Sequence, residues 1–178
     1  MKRTPIYGMM AEFDSPTLLV EAAHRTHEAG YLKIDAYSPF PVEGLAEAIG
    51  FHKNRVPLVV LIGALLGGLS GYALQYWISA IGYPVNVGGK PYHSWPAFIV
   101  VTFEMTILFG GIFAVFGMLA LNGLPMPYHP VFNVPRFAFA TKDRFFLIVF
   151  ATDPKYSASE TRRFLEGLAP RSIAEVPS

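Results

Sequence analysis

The chain has 178 residues, 52% of them hydrophobic and 15% charged, with a formal net charge of +1. At the length of one ordinary domain, this balance departs from the soluble average toward a membrane protein. No Lys/Arg cluster or basic stripe points to nucleic acid. The absence of cysteine excludes disulfides, thiolate zinc sites, thioether-attached haem and ordinary iron–sulfur ligation within the chain.

The first residues, MKRTPIYGMMAEF, lack the apolar stretch of a secretory signal, so the chain is expected to start on the side where it is made. Residues 5–13 read as a strand, apolar at most positions and therefore covered on at least one face. Asp14-Ser15-Pro16 then marks a helix start, an Asp or Ser cap followed by a proline tolerated in the first turn. Leu18, Leu19, Ala22, Ala23 and Thr26 recur at helical spacing, and Gly30 stops the helix. Residues 31–37 (YLKIDAY) alternate as a half-buried strand, and Ser38-Pro39-Phe40-Pro41 ends it. Residues 42–49 predict a short helix.

Residues 57–81 carry no charge, and residues 96–121 carry one, Glu104. A hydrocarbon core of about 30 Å needs roughly 20 apolar residues in a helix, so both stretches are predicted to span a membrane. Residues 82–94 make the connection. Gly63, Gly67 and Gly71 share one face of the first span, and Gly110, Ala114 and Gly117 recur similarly in the second. Such small residues let membrane helices approach closely. They either zip the hairpin together or dock another membrane subunit, and both can hold at once.

Residues 122–135 contain Pro125, Pro127, Pro130 and Pro135, a spacing that forbids regular helix and favours an extended path along the membrane surface or another protein. Residues 144–152 (RFFLIVFAT) predict a strand, 159–168 a helix and 171–176 a last strand. Asp14-Ser15-Pro16 and Asp153-Pro154 begin corresponding turns in two similar halves. Together the halves make βαβ plus βαβ, an α+β, ferredoxin-like (split βαβ) cytoplasmic domain with the two-helix transmembrane hairpin inserted. The expected boundaries are 1–56 and 144–178 for the half-domains, 57–121 for the hairpin and 122–143 for a proline-rich extended connector. Each half alone is too small to bury a core.

Orientation follows from charge. Lys2, Arg3, Arg25, Lys33, Lys53 and Arg55 precede the first span, seven cations follow the second, and only Lys90 lies between. The positive-inside rule then predicts both termini in the cytoplasm. Tyr72, Tyr76, Trp77, Tyr83, Tyr92 and Trp95 crowd the opposite end as an outer aromatic belt.

Glu104 lies nine residues from Trp95, about 14 Å deep in a helix and near the bilayer centre. A carboxylate there costs about 2.5 kcal/mol or more unless protonated, paired or near water. Neither span holds a Lys, Arg or His to pair with it. It shares a face with Ile107, Leu108, Gly111 and Val115, about a third of a turn from Gly110 and Ala114. Two readings stand: a proton relay or polar contact with a partner subunit, and a protonated carboxyl bonded to its own helix or to Gln75. His24 and His27, at i and i+3, lack a third metal ligand and read as solvated. His93 and His129 read as interface contacts, and Asp14 and Asp153 as helix caps. There is no phosphate loop, GxSxG or HExxH.

The segments YGMMAEFDSP, DAYSPFPVEGLAEAIG and YHPVFNVPRFAFATKDRFF resemble the D subunit of Alternative Complex III, the bacterial quinol:electron-acceptor oxidoreductase, over nearly the whole chain. The resemblance implies an accessory subunit of the cytoplasmic membrane, with two membrane helices and a cytoplasmic domain. It implies that iron–sulfur clusters, c-type haem and quinol belong to partner subunits, with none bound by this chain and lipid contacts around it. It assigns no catalytic residue. The leading expectation is therefore a non-catalytic subunit with a structural or assembly role and a contribution to a proton path. The alternative is a small oligomeric transporter or channel with Glu104 as the coupling carboxylate. An enzyme in the soluble domain ranks last.

Overall fold

Residues 6–51 and 54–178 are described by a computed structural model. Pro5 as the opening of the first strand, and Lys2, Arg3 and Lys53 in the charge argument, lie outside the described residues. In chain order come β1 (Ile6–Phe13), α1 (Pro16–Glu28), β2 (Ile34–Tyr37), α2 (Leu45–Ala48), α3 (Val56–Tyr76), α4 (Trp95–Leu121), β3 (Phe145–Phe150), α5 (Ala158–Glu166) and β4 (Ser172–Pro177). A π-helical turn, Trp77–Gly82, prolongs α3, and two 3-10 turns, Pro130–Asn133 and Pro135–Thr141, precede β3. The chain divides into two units, Met1–His52 with Pro127–Ser178, and Lys53–Met126.

The first unit is mixed helix and sheet. Its four strands are ordered β2-β3-β1-β4, and every neighbouring pair is antiparallel. β1 and β2 therefore run parallel with β3 between them, and β3 and β4 run parallel with β1 between them. Side chains alternate across a strand, so β1 and β3 each feed two cores. Met9, Ala11, Phe13, Phe145, Leu147 and Val149 face Leu19, Ala22 and Ala23 of α1 and Leu165 of α5. Met10, Phe146 and Ile148 face the other way, against Val131, Val134, Phe137 and Ala140. That is why the run FFLIVF is apolar without alternation: both of its faces are buried.

The second core corrects one expectation. Residues 130–141 do not run as an extended connector; they form the two 3-10 turns that cover the far face of the sheet. Pro130 and Pro135 each sit in the first turn, where a missing N–H costs nothing. The prolines exclude α-helix but permit these short turns.

Caps are also redistributed. Ser15 caps α1 by accepting from the Leu18 N–H at 3.3 Å, whereas Asp14 does not cap it. Asp153, 5% exposed, is no cap either, since α5 begins at Ala158. It accepts from the backbone N–H groups of Leu32 (2.7 Å), Lys33 (2.6 Å) and Lys155 (2.8 Å), pinning the entry to β2. Burial by itself would raise its pKa, but these three donors hold it below the ordinary aspartate value.

In the second unit α3 and α4 pack along their lengths. Val59 meets Gly117, Gly63 meets Phe113, and Gly71 meets Met105. Rising numbers on one helix meet falling numbers on the other, so the two run antiparallel. Val56–Gly82 and Trp95–Leu121 are both long and apolar enough to cross a membrane. Both carry large apolar side chains in exposed positions: Leu58, Leu69, Phe103 and Phe116 are all at least 60% accessible.

Candidate functional site

The contact between α3 and α4 is built on absent side chains. A Cβ on Gly67 would strike the backbone carbonyl of Met105, one on Gly71 would lie 3.0 Å from the Met105 side chain, and one on Gly117 would lie 2.6 Å from Val59. Gly63 lies under the Phe113 ring. Gly110 has more room, 3.7 Å to Ala64, and Ala114 is half-buried. Gly68, not singled out from the sequence, is buried against the Thr106 hydroxyl. Its signal was present: in GALLGGLSG it adjoins the four-residue repeat. Polar atoms in the seam are matched internally. Gln75 Nε2 lies 3.0 Å from the Phe98 carbonyl and 3.3 Å from Thr102 Oγ1, and Thr106 donates to the Thr102 carbonyl at 2.7 Å.

Glu104 stands outside this arrangement. It is exposed on α4, on the side carrying Ile107, Leu108 and Val115, each more than half accessible. Gly111 on that side faces nothing within 4 Å. Gln75 Nε2 is turned into the seam, and no bond joins Gln75 to Glu104 in this structure. Among the described residues no ion pair or hydrogen bond reaches Glu104.

A second polar constellation lies in the sheet unit, on a strand that reads as apolar at most positions. Glu12 is 2% exposed. Alternation along β1 puts it on the Met10 side, the face covered by the 3-10 turns. From there Arg136 grips it with two bonds of 2.6 Å, Nε to Oε2 and Nη2 to Oε1, and Ser172 donates to Oε2 at 2.7 Å. Arg144 and Arg171 stand 3.8 and 3.9 Å from Oε1, and both bond Asp14. The Arg136 bond is the main reason the Glu12 carboxyl lies below its ordinary range, against the opposing effect of burial. Asp14 is held low first by its Arg171 bond. The cluster ties β1, β3, β4 and the second 3-10 turn together. Its only sequence signal was a carboxylate in an apolar strand, and the arginines that meet it are more than 120 residues away.

Comparison with known families decides the assignment. The family model of the ActD subunit of Alternative complex III matches residues 7–175. The chain belongs to the ActD family. It is therefore a subunit of a respiratory electron-transport complex, as the resemblance of its motifs implied. Among curated proteins no match is found.

Four of the histidines of this ActD chain lie among the described residues. His24 Nδ1 lies 3.3 Å from Glu28. His27, expected in solvent, is half-buried against Gly50, and its Nδ1 has no hydrogen-bond partner among the described residues. His93 and His129 were read as interface contacts, but each is occupied within its own unit. His93 Nε2 lies 2.7 Å from the Tyr72 hydroxyl, edge-on to Tyr76. His129 Nε2 lies 3.3 Å from the Tyr7 hydroxyl, and its Nδ1 accepts from the Val131 N–H.

Proposed function

We propose that this chain is a non-catalytic, integral-membrane subunit that holds neighbouring subunits of its respiratory complex together and lends Glu104 to a proton path or a polar contact. Family membership makes it part of a multi-subunit assembly. The observation that carries the membrane reading is the exposed apolar circumference of α3 and α4. In water such a surface far exceeds the apolar patches of a soluble monomer, whereas lipid and partner helices cover it without penalty. The positive-inside count supports a cytoplasmic-membrane location with two spans and both termini in the cytoplasm.

The strand order β2-β3-β1-β4 supports reading the soluble unit as a ferredoxin-like, split βαβ domain with the transmembrane hairpin inserted between its second and third strands. Quinol oxidation, iron–sulfur clusters and c-type haem then belong to partner subunits. Deleting the chain is expected to leave the complex unassembled in membranes, read by native gel and by loss of quinol oxidation. Glu104→Gln keeps the shape and removes the charge. It should leave assembly intact and lower proton movement per electron in reconstituted vesicles. Wild-type proton stoichiometry in that variant would rule out the relay and leave a polar contact.

A further inference from the structure

α3 closes in the π-helical turn Trp77–Gly82, which sets Ile78 and Ser79 into one wall of a cavity of about 300 Å³. The following loop supplies Tyr83, Lys90 and Tyr92, and α4 supplies Phe98. The loop is held in place. Gly88 and Gly89, at φ +65° and +75°, take the left-handed turn. The Gly89 N–H donates to Asn86 Oδ1 at 3.1 Å, and the Lys90 N–H donates to the Val87 carbonyl at 3.4 Å. The His93–Tyr72 bond ties the far end of the loop back to α3.

Charge makes the cavity selective. Lys90 is the only Lys or Arg between Arg55 and Arg136, and residues 82–94 contain no Asp or Glu. Glu104, the one carboxylate in residues 56–126, sits at the tenth position of α4. A cation without a local carboxylate, sharing its cavity with Tyr83, Tyr92 and apolar Val85 and Val87 at the end of two apolar helices, complements an anion that carries hydrocarbon. Trp77 and Trp95, both more than half exposed, mark the depth at which headgroups lie.

We propose that this cavity binds the headgroup phosphate of an anionic phospholipid. Lys90 pairs with the phosphate, the hydroxyls of Ser79, Tyr83 and Tyr92 supply donors, and the acyl chains run down the exposed faces of α3 and α4. The proposal rests on α3 and α4 spanning the membrane. One lysine near such a surface contributes enough that its loss weakens binding about fivefold.

The test uses the whole purified complex in phosphatidylcholine nanodiscs, titrated with spin-labelled phosphatidylglycerol. Lys90→Gln should weaken one binding site about fivefold, Lys90→Arg should retain it, and Lys142→Gln in the other unit should match wild type. Equal affinity in Lys90→Gln and wild type overturns the proposal. Displacement of the labelled lipid by soluble sn-glycerol 3-phosphate at the lipid's own concentration also overturns it, by assigning the cavity to a free phosphate ester. Alkaline carbonate washing separates the two readings. Release of the chain from membranes contradicts the spans themselves, whereas retention with an unchanged Lys90→Gln contradicts the lipid site alone.

Discussion

Glu12 shows how a single residue can organise a fold without announcing itself. Buried and gripped by Arg136, it is ionised in the folded state, and its folded pKa lies below the ordinary glutamate value of 4.5. A depressed carboxyl contributes stability that is fully present above its unfolded pKa and is lost as pH falls through its folded pKa. The chain should therefore lose stability as pH drops below about 4.5, with Asp153 adding to the loss over a lower range. Glu12→Gln should be less stable than wild type at pH 7 by about 1.5–3 kcal/mol, the range for hydrogen bonds to charged groups. The gap should narrow as pH falls below 4.5 and the carboxyl takes up its proton, which thermal unfolding of the detergent-solubilised chain across that range will read. The cluster was illegible from sequence for a physical reason: its carboxylate and arginines meet only once β1, β3 and β4 are paired. Glu104 was legible because it is the one charge in residues 96–121, and a charge there stands out before any fold is known.

At the scale of elements the strands, both long helices and α1 follow from periodicity, with boundaries shifted by a few residues. Ser15 at a strand-to-helix junction and two apolar runs of 25 and 26 residues that together hold a single charge are strong local signals. The proline-rich segment was not legible in the same way. Proline spacing excludes α-helix, but the apolar spacing of Val131, Val134, Phe137 and Ala140 matters only against a sheet face that other segments create. The glycine seam makes a graded prediction. Gly67→Ala places a methyl against the Met105 backbone, which cannot swing aside, and should cost about 1–3 kcal/mol in overpacking. Gly111→Ala meets nothing within 4 Å and should be neutral. Gly110→Ala has 3.7 Å of room and should fall near neutral too. Resistance of α3–α4 association to denaturing detergent, compared across the three variants, checks the order.

At the scale of the whole molecule, the two units divide the labour. The sheet unit is closed on both faces and satisfies its buried charges internally. The helical unit satisfies its seam and leaves its circumference, with Glu104 on it, for other molecules. That imbalance is what a subunit needs and what an independent protein avoids. On this reading the chain works inside a larger redox assembly whose cofactors are held by its partners. Tagging the chain, extracting membranes in mild detergent, and recording the mass and visible spectrum of what elutes checks this. The chain should elute at the mass of a multi-subunit complex with haem absorbance and quinol oxidation, both lost when it is stripped from its partners. Elution as a stable monomer with neither would contradict it.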